Sequence, residues 1–314
     1  MKKQLLLLSI VAIVGVLARL NTTSSLSDSG CKIAILQTAS HPALDLVCQS
    51  FKSELKSLSS QFCPDKHFVW LEQNGMGQVS TLQTMASHFH NQQDIQLILA
   101  IATPATQTLV GLEKKIPIIY TAVSDPKILG PSLKQSNVCG LSDGVCPQEQ
   151  LKLLLNLWPC AQKIAIIYNP SESNSETAVK QLSKLIEESH LEPVLCAALN
   201  PSEIPSATSK AIRNADIVFV PADNLVAMTL PLIANLCHKA NIPLMAGYTG
   251  AVEQGADISY GVNYEKMGRS AAHLALEILK QQKTPYQIGQ RDLEPSLNLS
   301  TAAKQSLNQE KSND

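Results

Sequence analysis

The residues able to do chemistry in this 314-residue chain are mostly hydrogen-bonding groups set just after short apolar runs. Thr103, Ser124 and Asp125 follow two such runs in the first half, and Glu172, Asn174, Ser175, Asp223 and Asn224 follow two in the second. Gln37 ends the first run with His41 close behind, and Tyr248 and Thr249 stand after a later one. Each type also caps helices or forms turns, so one taken alone implies only local structure. Two sets at equivalent strand ends imply more: facing walls of donors and acceptors that can enclose a small polar ligand.

Other chemistries lack their parts. Gly140-Leu141-Ser142-Asp143-Gly144 matches the G-x-S-x-G nucleophile elbow, and Asp223 with His238 or His273 formally completes a triad. The elbow needs a helix directly after its serine, whereas Gly144-Val145-Cys146-Pro147 intervenes here. An α/β serine hydrolase using Ser142 is therefore the alternative reading. No G-x-G-x-x-G follows the first run, and no Gly-rich Lys-Ser/Thr loop occurs, so the usual phosphate cradles are missing. The eight cysteines form no C-x-x-C pair and no zinc spacing; neither a cofactor nor a metal is expected. Cys139 and Cys146 are near enough in sequence to pair, but spacing does not decide it. With 25 basic against 26 acidic residues, the chain has no electrostatic footprint for nucleic acid.

The elements that position these groups follow from the apolar pattern. Leu97 to Gln107 reads LILAIATPATQ, an unbroken run stopping at Thr103-Pro104. Such a run reads as a strand covered on both faces, with Thr103 capping the next helix and Pro104 in its first turn. KIAILQ at 32–37 is echoed by KIAIIY at 163–168, LILAIAT at 97–103 by IVFVPAD at 217–223, and IPII at 116–119 by IPLM at 242–245. The echoes keep their order at an offset of roughly 120 to 130 residues, far beyond a solenoid repeat. Helical patterns over 43–58 and 176–190, the second opened by a Ser173/Glu176 capping box, alternate with the strands. The fold class expected is α/β: two doubly wound parallel-sheet lobes.

Met1-Lys2-Lys3 and the apolar run from Leu5 to Leu17 read as a secretory signal or N-terminal anchor over residues 1–30, so an exported protein is expected. Ser29-Gly30-Cys31 only partly fits a lipidation site, because Asp28 stands where an apolar residue belongs. Residues 301–314 read as a polar tail.

The runs KIAILQTASHPALD, LILAIATPATQ, IPIIYTAVSDP, KIAIIYNPSESNS, VPADN and SYGVNYEKMGR resemble the ABC-transporter substrate-binding proteins of the aromatic-amino-acid (tryptophan-binding-like) group. The resemblance covers nearly all of 31–299 and implies the type I periplasmic-binding fold. It implies a receptor that closes on an amino acid, aromatic by preference, and hands it to a membrane permease; a ligand sensor of the same fold without a permease stays open. The implied lobes are 31–142 plus 258–283 and 143–257 plus 284–300, with hinge crossings near 141–144, 257–259 and 283–285. A monomer is expected. Capture would set the ligand carboxylate at Thr103, Pro104, Ala105 and Ser124, and the ammonium at Asp223, with Glu172 second. Tyr248, Tyr168 and His41 are candidate packing partners for the side chain. Two departures touch the cleft: Pro221-Ala222-Asp223-Asn224 where the family has Pro-Thr-Asp-Asn, and Gly247-Tyr248-Thr249-Gly250 where an acidic residue or serine is common.

Overall fold

The apolar runs form the centres of two six-stranded sheets. The structure is a computed structural model and describes residues 30–62 and 67–300. The signal-like segment, Cys63 and the polar tail lie outside the described residues. The first sheet holds β1 (Cys31–Gln37), β2 (Phe68–Asn74), β3 (Leu97–Ile101), β4 (Ile118–Val123) and β5 (Val138–Ser142), with β11 (Gln290–Asp292) at its edge. Its order is β11-β5-β4-β3-β1-β2, all parallel. The second holds β6 (Lys163–Tyr168), β7 (Glu192–Ala197), β8 (Ile217–Val220), β9 (Leu244–Ala246), β10 (Ile258–Val262) and β12 (Pro295–Leu299). Its order, β12-β10-β9-β8-β6-β7, repeats the first, with β12 antiparallel to β10. Strands β3, β4 and β8 are buried along their whole length, as unbroken apolar runs require.

Helices cover both faces of each sheet. In the first lobe α1 (Pro42–Phe62) buries Leu44, Val47, Phe51 and Leu55, while α2 (Val79–His90) and α3 (Thr103–Leu112) pack on the opposite face. In the second lobe α4 (Pro147–Leu157) and α5 (Ser173–Glu188) lie on one face, α6 (Ile204–Asn214) and α7 (Asn224–Lys239) on the other. Helix α8 (Tyr264–Leu279) returns to pack along α1. There Gly268 allows the approach: a Cβ on it would stand 2.0 Å from Ser50 Oγ and 2.4 Å from the Val47 carbonyl.

Sheet membership corrects the expected lobe boundaries. Strand β10 was assigned to the first lobe at 258–283, yet it pairs with β9 and β12 in the second sheet. Only α8 crosses back, so the second crossing lies between Val262 and Tyr264. Strand β11 extends the first sheet and β12 the second, which puts the third crossing between Asp292 and Pro295 and not at 283–285. The physical reason is edge pairing: β10 fills in the second sheet the place that β5 fills in the first. The expected capping box is also absent. Helix α5 starts at Ser173 with Glu172 at its N-cap, and the Ser173 hydroxyl reaches across to Gln107 Oε1 at 3.3 Å. Cys139 and Cys146 are free thiols.

Candidate functional site

The carboxyl ends of the strands in both sheets meet across a cleft, the place where open α/β sheets bind ligands. Its centre is a cavity walled by His41 and Leu44 of the first lobe, Ala102 just after β3, Ala122 near the end of β4, and Asp143 at the first hinge crossing. Asn174, Asp223, Asn224, Ala227 and Tyr248 wall it from the second lobe, and Tyr264 from the second crossing. Ala102 (φ 72°) and Ala122 (φ 54°) hold left-handed backbone at consecutive strand ends, strain of about 1 to 3 kcal/mol each that the surrounding packing must sustain.

Four buried polar atoms on these walls have no hydrogen-bond partner: His41 Nδ1, Asp143 Oδ1, Asn174 Oδ1 and the Tyr248 hydroxyl. In Asp143 and Asn174 the second side-chain atom is engaged. Tyr264 donates its hydroxyl to Asp143 Oδ2 at 2.7 Å, and Asn174 Nδ2 donates to the Ala222 carbonyl at 2.9 Å. Among the described residues, no Lys or Arg lines the cavity. Burial therefore pushes the Asp143 carboxyl above its ordinary range, a rise that hydrogen bonds from Tyr264 and Ser124 only partly offset. Burial also raises the Tyr248 and Tyr264 hydroxyls and lowers His41 to about 4, so the imidazole is neutral at pH 7. A cavity wall with two buried carboxyl groups, Asp143 and Asp223, and no lysine or arginine among the described residues that line it suits a ligand bearing a cation.

Asp223 does not offer what the sequence suggested. Its Oδ1 caps α7 by accepting from the Val226 amide at 3.0 Å, and its Oδ2 accepts from the Asn169 amide and the Ser175 hydroxyl. Glu172 accepts from the Asn224 and Leu225 amides and from Asn224 Nδ2. Both carboxylates thus serve the start of α7, where the helix dipole favours negative charge. Burial raises both carboxyls, and repulsion from Asp223 adds to the rise at Glu172.

The remaining expected residues divide by position. His41, Ser124, Asn174, Asp223, Asn224 and Tyr248 reach the central cavity. Asp125 lines an adjoining chamber of about 590 Å³ on the hinge side, and Pro104 and Glu172 line another of about 800 Å³ on the far side. Gln37 instead braces its own loop, donating to the Ala39 carbonyl and to Asp45. Thr103 is the first helical residue, and Ala102 occupies the cap position without a side-chain bond. The Ala105 amide is already taken by the Thr38 hydroxyl at 3.0 Å, so it is not open to a ligand carboxylate. Ser175 is spent on Asp223, Thr249 donates to the Val262 carbonyl, and Tyr168 faces a separate hollow on the second lobe. Asp143 and Tyr264 are the residues sequence reasoning missed. Asp143 carried a signal, an acid directly after an apolar strand, but was read only as a hinge crossing; Tyr264 carried none.

The serine-hydrolase alternative is not assembled. The Ser142 hydroxyl accepts from the Gly144 amide and faces the Ser124 carbonyl, while His238 pairs with Asp257 and His273 with Glu54.

Residues 32–311 match the family described as ABC transporter substrate binding protein. A tyrosine-binding protein of Clostridioides difficile is 35% identical over 253 residues, 79% of this chain and 72% of that protein. Among solved structures, an ABC domain from Streptococcus pneumoniae in complex with L-Trp is 27% identical, with a TM-score of 0.78 over 88% of this chain and 94% of that one. A ligand-free, open substrate-binding protein with adhesive properties from Clostridium difficile is 31% identical over the same shares, with a TM-score of 0.63.

Proposed function

Because this chain belongs to the ABC transporter substrate-binding proteins, we propose that it closes its two lobes on an amino acid whose ammonium is held at Asp143. The observation that carries this is Asp143 Oδ1, a buried carboxyl oxygen with no partner on the wall of a cavity that no lysine or arginine lines among the described residues. An ammonium placed there reverses the desolvation that raises the carboxyl, and Asn174 Oδ1 from the second lobe supplies a further acceptor. The Tyr248 hydroxyl is the donor open to the ligand's own oxygens. Groups from both lobes and from the hinge meet only in the closed state, so binding and closure are one equilibrium.

Three further points support the reading. Of the relatives named above, one is a tyrosine-binding protein and another is in complex with L-Trp. The structure overlays better on the L-Trp complex than on the open, ligand-free protein, although the open one is more alike in sequence. Proteins of this family serve ABC importers from outside the cytoplasm, which fits the export signal expected at 1–30 and names a permease as partner.

A thermal-shift screen of the purified protein against the amino acids tests the reading, because a ligand that binds only the folded chain raises the melting temperature. The expected result is a shift with at least one amino acid and none with its deaminated analogue. A deaminated analogue that shifts melting as far as its parent refutes the ammonium at Asp143.

A further inference from the structure

We propose that His41 reads the far end of the ligand's side chain, its Nδ1 accepting a hydrogen bond from a hydroxyl or ring N–H carried there. The proposal rests on the amino-acid reading above and narrows it to side chains that end in a donor.

Three observations carry it. His41 Nδ1 is buried on the cavity wall and has no partner. The ring is neutral, since burial pushes its pKa down to about 4, so one nitrogen carries a proton and the other a bare lone pair. Asn224, whose Nδ2 is directed at Glu172, lines the same cavity as His41. The proposal places the imidazole proton on the other nitrogen, toward the Asn224 carbonyl oxygen, which leaves Nδ1 as the bare acceptor. A buried acceptor of this kind is satisfied only by a donor that the ligand brings.

Topology separates this acceptor from the ammonium site. Asp143 follows β5 and His41 follows β1, and the sheet order sets them three strand spacings apart. At about 4.8 Å per spacing this is roughly 14 Å. The two side chains and a hydrogen bond at each end take up part of that span, and the ligand bridges the rest between its ammonium and its far donor. An aromatic amino acid with a phenolic hydroxyl or an indole N–H spans such a gap; a short aliphatic one does not. The group that meets His41 is therefore on the side chain and not on the ammonium end.

Calorimetry at pH 7 with L-tyrosine, L-tryptophan, L-phenylalanine and L-leucine tests the assignment. Wild type is expected to bind tyrosine or tryptophan tighter than phenylalanine by on the order of tenfold to a thousandfold, because phenylalanine leaves the acceptor unpaired. His41→Leu is expected to erase that preference, and His41→Gln, which keeps an acceptor, to restore part of it. Equal wild-type binding of phenylalanine and both donor-bearing ligands overturns the proposal even if His41→Leu fails to fold. So does a preference that survives in a folded His41→Leu. If wild type binds none of the four, this assignment falls, and the thermal-shift screen against all the amino acids decides separately whether the amino-acid reading stands. If Asp143→Asn abolishes binding while wild type shows no preference, the amino-acid reading stands and only the role of His41 falls.

Discussion

The Tyr264 hydroxyl donates to Asp143 Oδ2 at 2.7 Å, and both residues are buried. Asp143 follows β5 and Tyr264 opens α8, so this single bond ties the first hinge crossing to the second. The other oxygen of the same carboxyl has no partner, on the wall of the central cavity. A cation bound there therefore acts on the chain at the point about which the lobes pivot.

Asp143→Asn keeps the shape and removes the charge. Binding is expected to fall by roughly a hundredfold to several thousandfold, the consequence of burying an unpaired ammonium at a cost of about 3 to 5 kcal/mol. The unliganded protein should fold as well as wild type, since the variant relieves a desolvated carboxylate. Calorimetry and a urea titration check the two halves separately; near-wild-type affinity places the ammonium elsewhere.

Tyr264→Phe removes only the donor to Asp143. Stability is expected to drop by about 1.5 to 3 kcal/mol, the worth of a hydrogen bond to a charged group. Affinity should change by less than tenfold, because Asp143 Oδ1 is untouched. Urea unfolding at constant slope reads the first value and calorimetry the second.

Asp223→Ser should weaken folding more than binding. The wild-type carboxylate accepts from Val226, Asn169 and Ser175, and serine can replace only the cap. The expected loss is about 2 to 4 kcal/mol of stability with affinity within tenfold of wild type. A stable variant with severely weakened binding would give the ammonium to Asp223 after all.

His41 predicts a pH dependence of stability. Its pKa falls from 6.5 to about 4 on folding, so between these values the unfolded chain takes up a proton that the native state refuses. The contribution is complete above pH 6.5 and is lost as the pH falls through 4, by up to about 3 kcal/mol. The raised carboxyl of Glu172 acts in the opposite direction, but it is common to wild type and variant and cancels in their difference. Melting curves of ligand-free wild type and His41→Asn should therefore converge as the pH is lowered from 7.5 to 4.5. A gap independent of pH would mean that His41 is not held neutral.

The sequence determined the architecture because unbroken apolar runs have few places to go. KIAILQ, LILAI, KIAIIY and IVFV became the buried inner strands β1, β3, β6 and β8, and the order of the echoes became the shared strand order of the two sheets. It also named most of the cavity walls, since a polar residue directly after a parallel strand lies at the cleft wherever that strand ends up: His41, Ser124, Asn174, Asp223 and Asn224 all reach it.

Tertiary structure decided which of those groups remain available to a ligand. Asp223 and Asp143 look alike in sequence, each an acid after an apolar strand, yet three protein donors occupy Asp223 and one oxygen of Asp143 is left open. The difference comes from Asn169 and Ser175, brought to Asp223 by the neighbouring β6–α5 turn, and from Tyr264, brought to Asp143 by a helix more than a hundred residues away. The lobe boundaries were decided the same way, β10 going to the second sheet because an open strand edge was there to pair with it. Residue type and spacing fix which groups arrive at the cleft; hydrogen bonds between distant segments fix which of them are already satisfied, and no local pattern carries that information.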